Sequence, residues 1–215
     1  MRLHAALVLT LTLTVAATAE GAPSPEPDID DTRGAGITGG MRVAVHVYLQ
    51  PHDLRDEDRQ IALDVARDVF SDVADLAWTI CEPKMCLTPS AEALKLRLVR
   101  SFDRDSASSS VLGEAFIESR TQTGVLATVF IDRTELLAGK VGIDYRTLLG
   151  RAIAHELGHL LLGTPAHGRG LMREVWSRDE LQRTRHSDWR LDPLDASAIR
   201  NRLAQRTLAR PRSAS

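Results

Sequence analysis

The sequence lacks a charge imbalance: 27 Lys and Arg stand against 29 Asp and Glu, for a formal net charge of −2. A surface so balanced gives no reason to expect nucleic acid or an anionic membrane as a partner. Cysteine is scarce. Cys81 and Cys86 are the only two, so a cysteine-built metal site has no second pair to complete it. None lies between residues 20 and 40, which excludes a thiol latch from that segment. Tyrosine is equally sparse, at Tyr48 and Tyr145 only. No internal repeat is visible.

What is present suffices for one folded domain: 215 residues with 43% apolar side chains can close a real core. The first residues read as a leader. Arg2 gives a positive start, Leu3 to Val15 is apolar, and Ala17-Thr18-Ala19 has the small-x-small pattern of a cleavage site. The apolar run is short for a membrane span. The expectation is a signal peptide over 1–19, cleaved after Ala19, with a secreted or periplasmic product and no stable membrane insertion. In such a compartment Cys81 and Cys86, with Glu-Pro-Lys-Met between them, are expected to form a local disulfide. Residues 20–40, with three prolines and five glycines among acidic residues, read as a flexible linker. The domain is expected over 41–208 and a disordered tail over 209–215.

Within the domain, Val43, Val45, Val47 and Leu49 alternate as in a half-buried strand. Ile61, Val65, Val69 and Val73 recur at helical spacing, predicting an amphipathic helix over 54–74. Strands are expected at 77–81, at 94–98, at 111–117 (weaker, with Gly113), and at 125–131 as an apolar buried strand, with a polar loop over Ser106–Ser110. A helix is predicted over 145–162, capped by Asp144 and stopped by Gly163. A short helix over 177–183 and a last one over 193–203 complete the chain. This order argues for an α+β domain with a mixed twisted sheet and a small C-terminal helical part.

The chemistry is concentrated in residues 151–173, RAIAHELGHLLLGTPAHGRGLMR. His155-Glu156-Leu157-Gly158-His159 sets two imidazoles one helical turn apart on one face. Both can reach one tetrahedral ion at ~2.0–2.1 Å. Glu156, turned roughly 100° from His155, can lie beside the ion without ligating it, where a base takes a proton from polarised water. Leu149, Ile153, Leu157, Leu160 and Leu161 form an apolar stripe opposite. A competing reading is a solvated helix face that happens to carry two histidines. A catalytic zinc site takes three protein ligands and leaves one position open. His167, after the turn-forming Gly163-Thr164-Pro165-Ala166, is the favoured third. Glu174, Asp179 and Glu180 are the alternatives, the last two lying about twenty residues after His159, although acids at a helix start are also common for dipole reasons alone. His46, His52 and His186 are read as surface residues.

These residues resemble the metzincin clan of zinc peptidases, in which HExxHxxGxxH is followed by a turn carrying Met beneath the metal. His155, Glu156 and His159 match directly. Gly163 and His167 match in kind, one and two positions later than in the clan, and Met172 stands for the turn methionine. The resemblance implies a zincin-like domain that binds Zn2+ through His155, His159 and His167 and hydrolyses a peptide or protein substrate, with Glu156 as general base. It implies an extended substrate lying along an edge strand. Neither tyrosine stands where some such peptidases stabilise the oxyanion. The other reading is a secreted, non-catalytic zinc-binding or structural module, with Glu174 or His186 closing the site.

Overall fold

The structure, a computed structural model, describes residues 41–50, 52–81, 93–100 and 111–208. The expected leader, linker and tail, the loop Ser106–Ser110 and Cys86 lie outside them. Cys81 is disulfide-bonded.

Five strands and five α-helices are formed among the described residues. In order they are β1 (Met41–Tyr48), α1 (Asp56–Phe70), β2 (Ala74–Cys81), β3 (Leu94–Val99), β4 (Gly113–Glu118), β5 (Thr123–Phe130), α2 (Ile131–Val141), α3 (Tyr145–Leu162), α4 (Arg178–Leu181) and α5 (Pro193–Leu208). The sheet runs β2-β1-β3-β5-β4. All neighbours are parallel except β4, which pairs antiparallel with β5 and forms one edge. The domain is therefore mixed α and β with a mixed sheet, as expected.

Pairing register explains the core. It places Val47, Leu96, Ala127 and Ala115 in one row across four strands. The first three are fully buried. β1 alternates as its sequence predicts, with Val43, Val45 and Val47 buried and Arg42 and Ala44 exposed. In the stretch expected as a buried strand at 125–131, the strand residues that are buried are Ala127, Thr128 and Val129, with Leu126 and Phe130 half-buried. Val125 lies at the exposed end, and Ile131 already begins α2.

α1 buries Ala62, Leu63, Ala66, Val69 and Phe70 rather than the expected row through Ile61 and Val65. The two helices approach closely: a Cβ on Gly150 of α3 would stand 2.5 Å from the Ala62 carbonyl oxygen and 2.6 Å from Val65 Cβ, so the half-buried Val65 also meets α3 at the crossing. Val73 lies past the helix end and packs in the core. α2, for which the sequence reading gave no element, bridges β5 and α3. It buries Ile131, Thr134, Ala138 and Val141 and ends on Gly142 at φ 80°.

Candidate metal centre

α3 begins where Asp144 accepts a hydrogen bond from the backbone N–H of Arg146. It ends where Gly163 adopts φ 64° and returns its N–H to the His159 carbonyl. Both ends are as the sequence predicts. The expected apolar residues Leu149, Ile153, Leu157, Leu160 and Leu161 are all in the core, but burial is not confined to their side, because every residue from Leu148 to Leu161 is buried. α3 sits against β4 and β5 on one side and between α1, α2 and α5 on others, which leaves it no solvated face. His155, Glu156 and His159 are thus inside the molecule, at 8%, 6% and 4% exposure, and the reading of them as a solvated polar face fails.

Buried histidines need partners, and each has one that also fixes its tautomer. His155 Nδ1 lies 2.8 Å from the Leu171 carbonyl oxygen and His159 Nδ1 lies 2.9 Å from that of Thr164. A carbonyl only accepts, so both Nδ1 atoms carry the proton and both Nε2 atoms present lone pairs. Those two atoms stand 3.1 Å apart. Two nitrogens bound at ~2.0–2.1 Å to one tetrahedral ion would stand about 3.3 Å apart, so the spacing fits a shared cation. His167, exposed on the following turn, completes the cluster. Ligand atoms of the three histidines lie within 4.8 Å of one another, and among the described residues no other such group of His, Cys, Asp or Glu occurs. These residues could hold a metal ion.

The turn that delivers His167 is built locally. The Thr164 hydroxyl accepts from the Ala166 N–H at 3.1 Å, and the Gly168 N–H reaches the Met172 carbonyl at 2.8 Å. Met172, in a 3₁₀ turn over Gly170–Met172, is buried against α3 at Gly158, between His155 and His159 in the sequence.

Burial also sets the charges. It pushes the Glu156 carboxyl up to about 8, with Glu114 adding repulsion. It pulls His155 down to about 4, against the Leu171 hydrogen bond and together with His159 and His167. His159 is lowered for the same leading reason. Neutral imidazoles are the metal-binding form, and a cation at the triad would favour ionised Glu156. Glu156 has room because β4 carries Gly113 beside it. A Cβ there would stand 2.7 Å from Glu156 Cγ and Oε1.

A cavity of about 540 Å³ opens against His155, Glu156 and His167. Leu112 and Gly113 wall it from the β4 side, Leu136 and Leu137 from α2, and Arg173 to Trp176 from the segment after the methionine turn. It falls within the usual range for a ligand site.

The alternative carboxylates stay outside the cluster. Glu180 is occupied by a capping box with Ser177 and by Arg173 at 3.2 Å. Asp179 is exposed on α4, and Glu174 lines the cavity wall. His52 is exposed, as expected, but His46 is half-buried and its Nδ1 has no partner among the described residues. Tyr145 bonds to Asp58 at the start of α1, away from the triad. The sequence reading missed Gly113, Trp176 and the α2 wall. Comparison with protein-family models and with characterised proteins finds no match for this chain.

Proposed function

We propose that this chain is a secreted zinc-dependent endopeptidase, with Zn2+ held by His155, His159 and His167 and Glu156 as general base. The observation that carries the reading is the convergence of two Nδ1-protonated imidazoles at 3.1 Å between their Nε2 atoms, beside a buried carboxylate and an open cavity. Three neutral imidazoles would leave zinc one free position and its Lewis acidity toward a carbonyl.

The chain's own residues supply the rest. Glu156 takes the proton from the attacking water and passes it to the leaving amine. Its burial keeps that proton from bulk solvent. Among the described residues β4 is the edge strand beside Glu156, a place suited to an extended peptide added as a further strand. The adjoining cavity then receives a side chain next to the scissile bond. A purely structural zinc site would need a fourth side chain at the cluster, and only three converge among the described residues.

The test is Glu156→Gln. It is expected to bind zinc as the wild type does and to lose hydrolysis of an unfolded protein substrate by at least about 100-fold, the low end of general-base contributions. Unchanged turnover would remove Glu156 from the chemistry.

A further inference from the structure

The carbonyl of Leu171 receives two hydrogen bonds. One comes from His155 Nδ1 at 2.8 Å and the other from Trp176 Nε1 at 3.2 Å. The Trp176 ring also meets the His155 imidazole edge to face, with centroids 5.5 Å apart and planes at 89°. Behind it stands Trp189, centroids 5.1 Å apart at 87°. The guanidinium of Arg151 lies 3.9 Å over the Trp189 ring and donates to the carbonyls of Leu181 and Arg183 at 2.9 and 2.7 Å. Trp189 Nε1 donates to the same Arg183 carbonyl at 3.0 Å. Arg151 stands one helical turn before His155 on α3. The chain of contacts therefore leaves the helix at Arg151 and returns to it at His155.

We infer that Trp176 is a positioning residue for the metal ligand His155, anchored through Trp189 by Arg151. The inference rests on the triad being a metal centre. A histidine ligand is oriented by whatever its second nitrogen bonds to, and here that acceptor is a loop carbonyl. A carbonyl oxygen has two lone pairs. With His155 on one and Trp176 on the other, the Leu171 peptide is fixed in plane, and the imidazole that follows it is fixed in tilt. The ring contact limits the remaining freedom of His155.

The anchor argues against simple core filling. Arg151 is 6% exposed, and an apolar residue there would hold the segment without a buried charge. A planar fork that takes the carbonyls of Leu181, at the end of α4, and of Arg183 just beyond it while stacking on an indole fixes that segment's position. The frame also joins the site to the substrate cavity, since Trp176 lines it.

The test is Trp176→Phe, which keeps an aromatic ring and removes the N–H. Zinc affinity is read by competition with a chromophoric chelator, ligand geometry by the visible absorption of the Co2+-loaded protein, and fold by thermal unfolding of the metal-free protein. The expected result is zinc affinity weakened about 10-fold, at the low end for partners of metal ligands, with a changed Co2+ spectrum and little change in metal-free unfolding. Wild-type affinity and spectrum in Trp176→Phe would overturn the inference and leave the proposed function standing. No metal binding by the wild type would overturn both. Should Trp176→Phe fail to fold, Trp189→Leu removes the support behind Trp176. It is expected to shift the Co2+ spectrum and weaken zinc in the same direction, and an unchanged spectrum there overturns the inference equally.

Discussion

Met172 occupies the place that a side chain on Gly158 would need: its Sδ lies 2.5 Å from where a Cβ would stand. A side chain between the two helix histidines would therefore have to displace the buried Met172 thioether. Gly158→Ala is expected to destabilise the protein by about 1–3 kcal/mol through overpacking, and Met172→Ala by about 2–5 kcal/mol through a cavity. The double variant should lose less than the sum, because each change relieves the other. Chemical denaturation of the four proteins measures this, and additive losses would separate the two residues.

A tighter constraint acts on Glu156 from the sheet. A Cβ on Gly113 would meet Glu156 Cγ and Oε1 at 2.7 Å and the Thr128 carbonyl oxygen at 2.8 Å. The added methyl must displace the Glu156 side chain and also shift β4 locally away from the Thr128 carbonyl of its paired strand β5. Gly113→Ala is expected to keep zinc and to lose on the order of 100-fold in hydrolysis, the scale of a displacement of about 1 Å. Activity within a few-fold of wild type would show that the carboxylate has slack.

The buried carboxyl makes a signed prediction about pH. In the metal-free protein Glu156 is raised from 4.5 to about 8. Folding therefore favours its protonated form, and the associated stability is full below about pH 4.5 and lost as pH rises through 8. Glu156→Gln has no charge to bury. Its melting temperature relative to wild type, measured without metal, should rise between pH 5 and pH 9. A difference that stays constant over that range would place Glu156 in a more polar setting.

Away from the site, Asp58 is buried at the start of α1 and held below the usual carboxylate range, first by the Tyr145 hydroxyl and then by Arg55. A depressed carboxylate stabilises the fold above its unfolded pKa, near 4, and loses that contribution as pH falls through the folded value. Asp58→Asn is expected to cost about 1–3 kcal/mol at pH 7, with the deficit shrinking below pH 4. Urea titrations at pH 7 and pH 3 check it, and an equal deficit at both would assign the effect to packing.

Elements with local signatures were legible in the sequence. α3 announced both its ends through Asp144 and Gly163, and β1 announced its faces through the alternation of valines. The histidine cluster was legible because helix geometry fixes two of its members, and the turn after Gly163 supplied the third. α2 was not. Its N-cap is Phe130, with no capping side chain, so strand runs into helix unmarked, although Gly142 and the spacing of Ile131, Thr134, Ala138 and Val141 could have shown it. The α1 face was legible in part: Val69 and Val73 are buried as their spacing predicts, while Ala62, Leu63 and Ala66 are buried more deeply than Ile61 and Val65. Strand order, the Gly113–Glu156 contact and the Trp176 frame join residues far apart in sequence. No local pattern encodes such meetings.

The central claim is that one divalent cation is shared by His155, His159 and His167. The most direct measurement is the zinc content of the purified protein and of its His155→Ala, His159→Ala and His167→Ala variants, by elemental analysis after exhaustive dialysis. The account predicts one equivalent in the wild type and loss of tight binding in each variant. A wild type that retains no zinc when supplied with it, or a His167→Ala variant that retains a full equivalent at wild-type affinity, would contradict it.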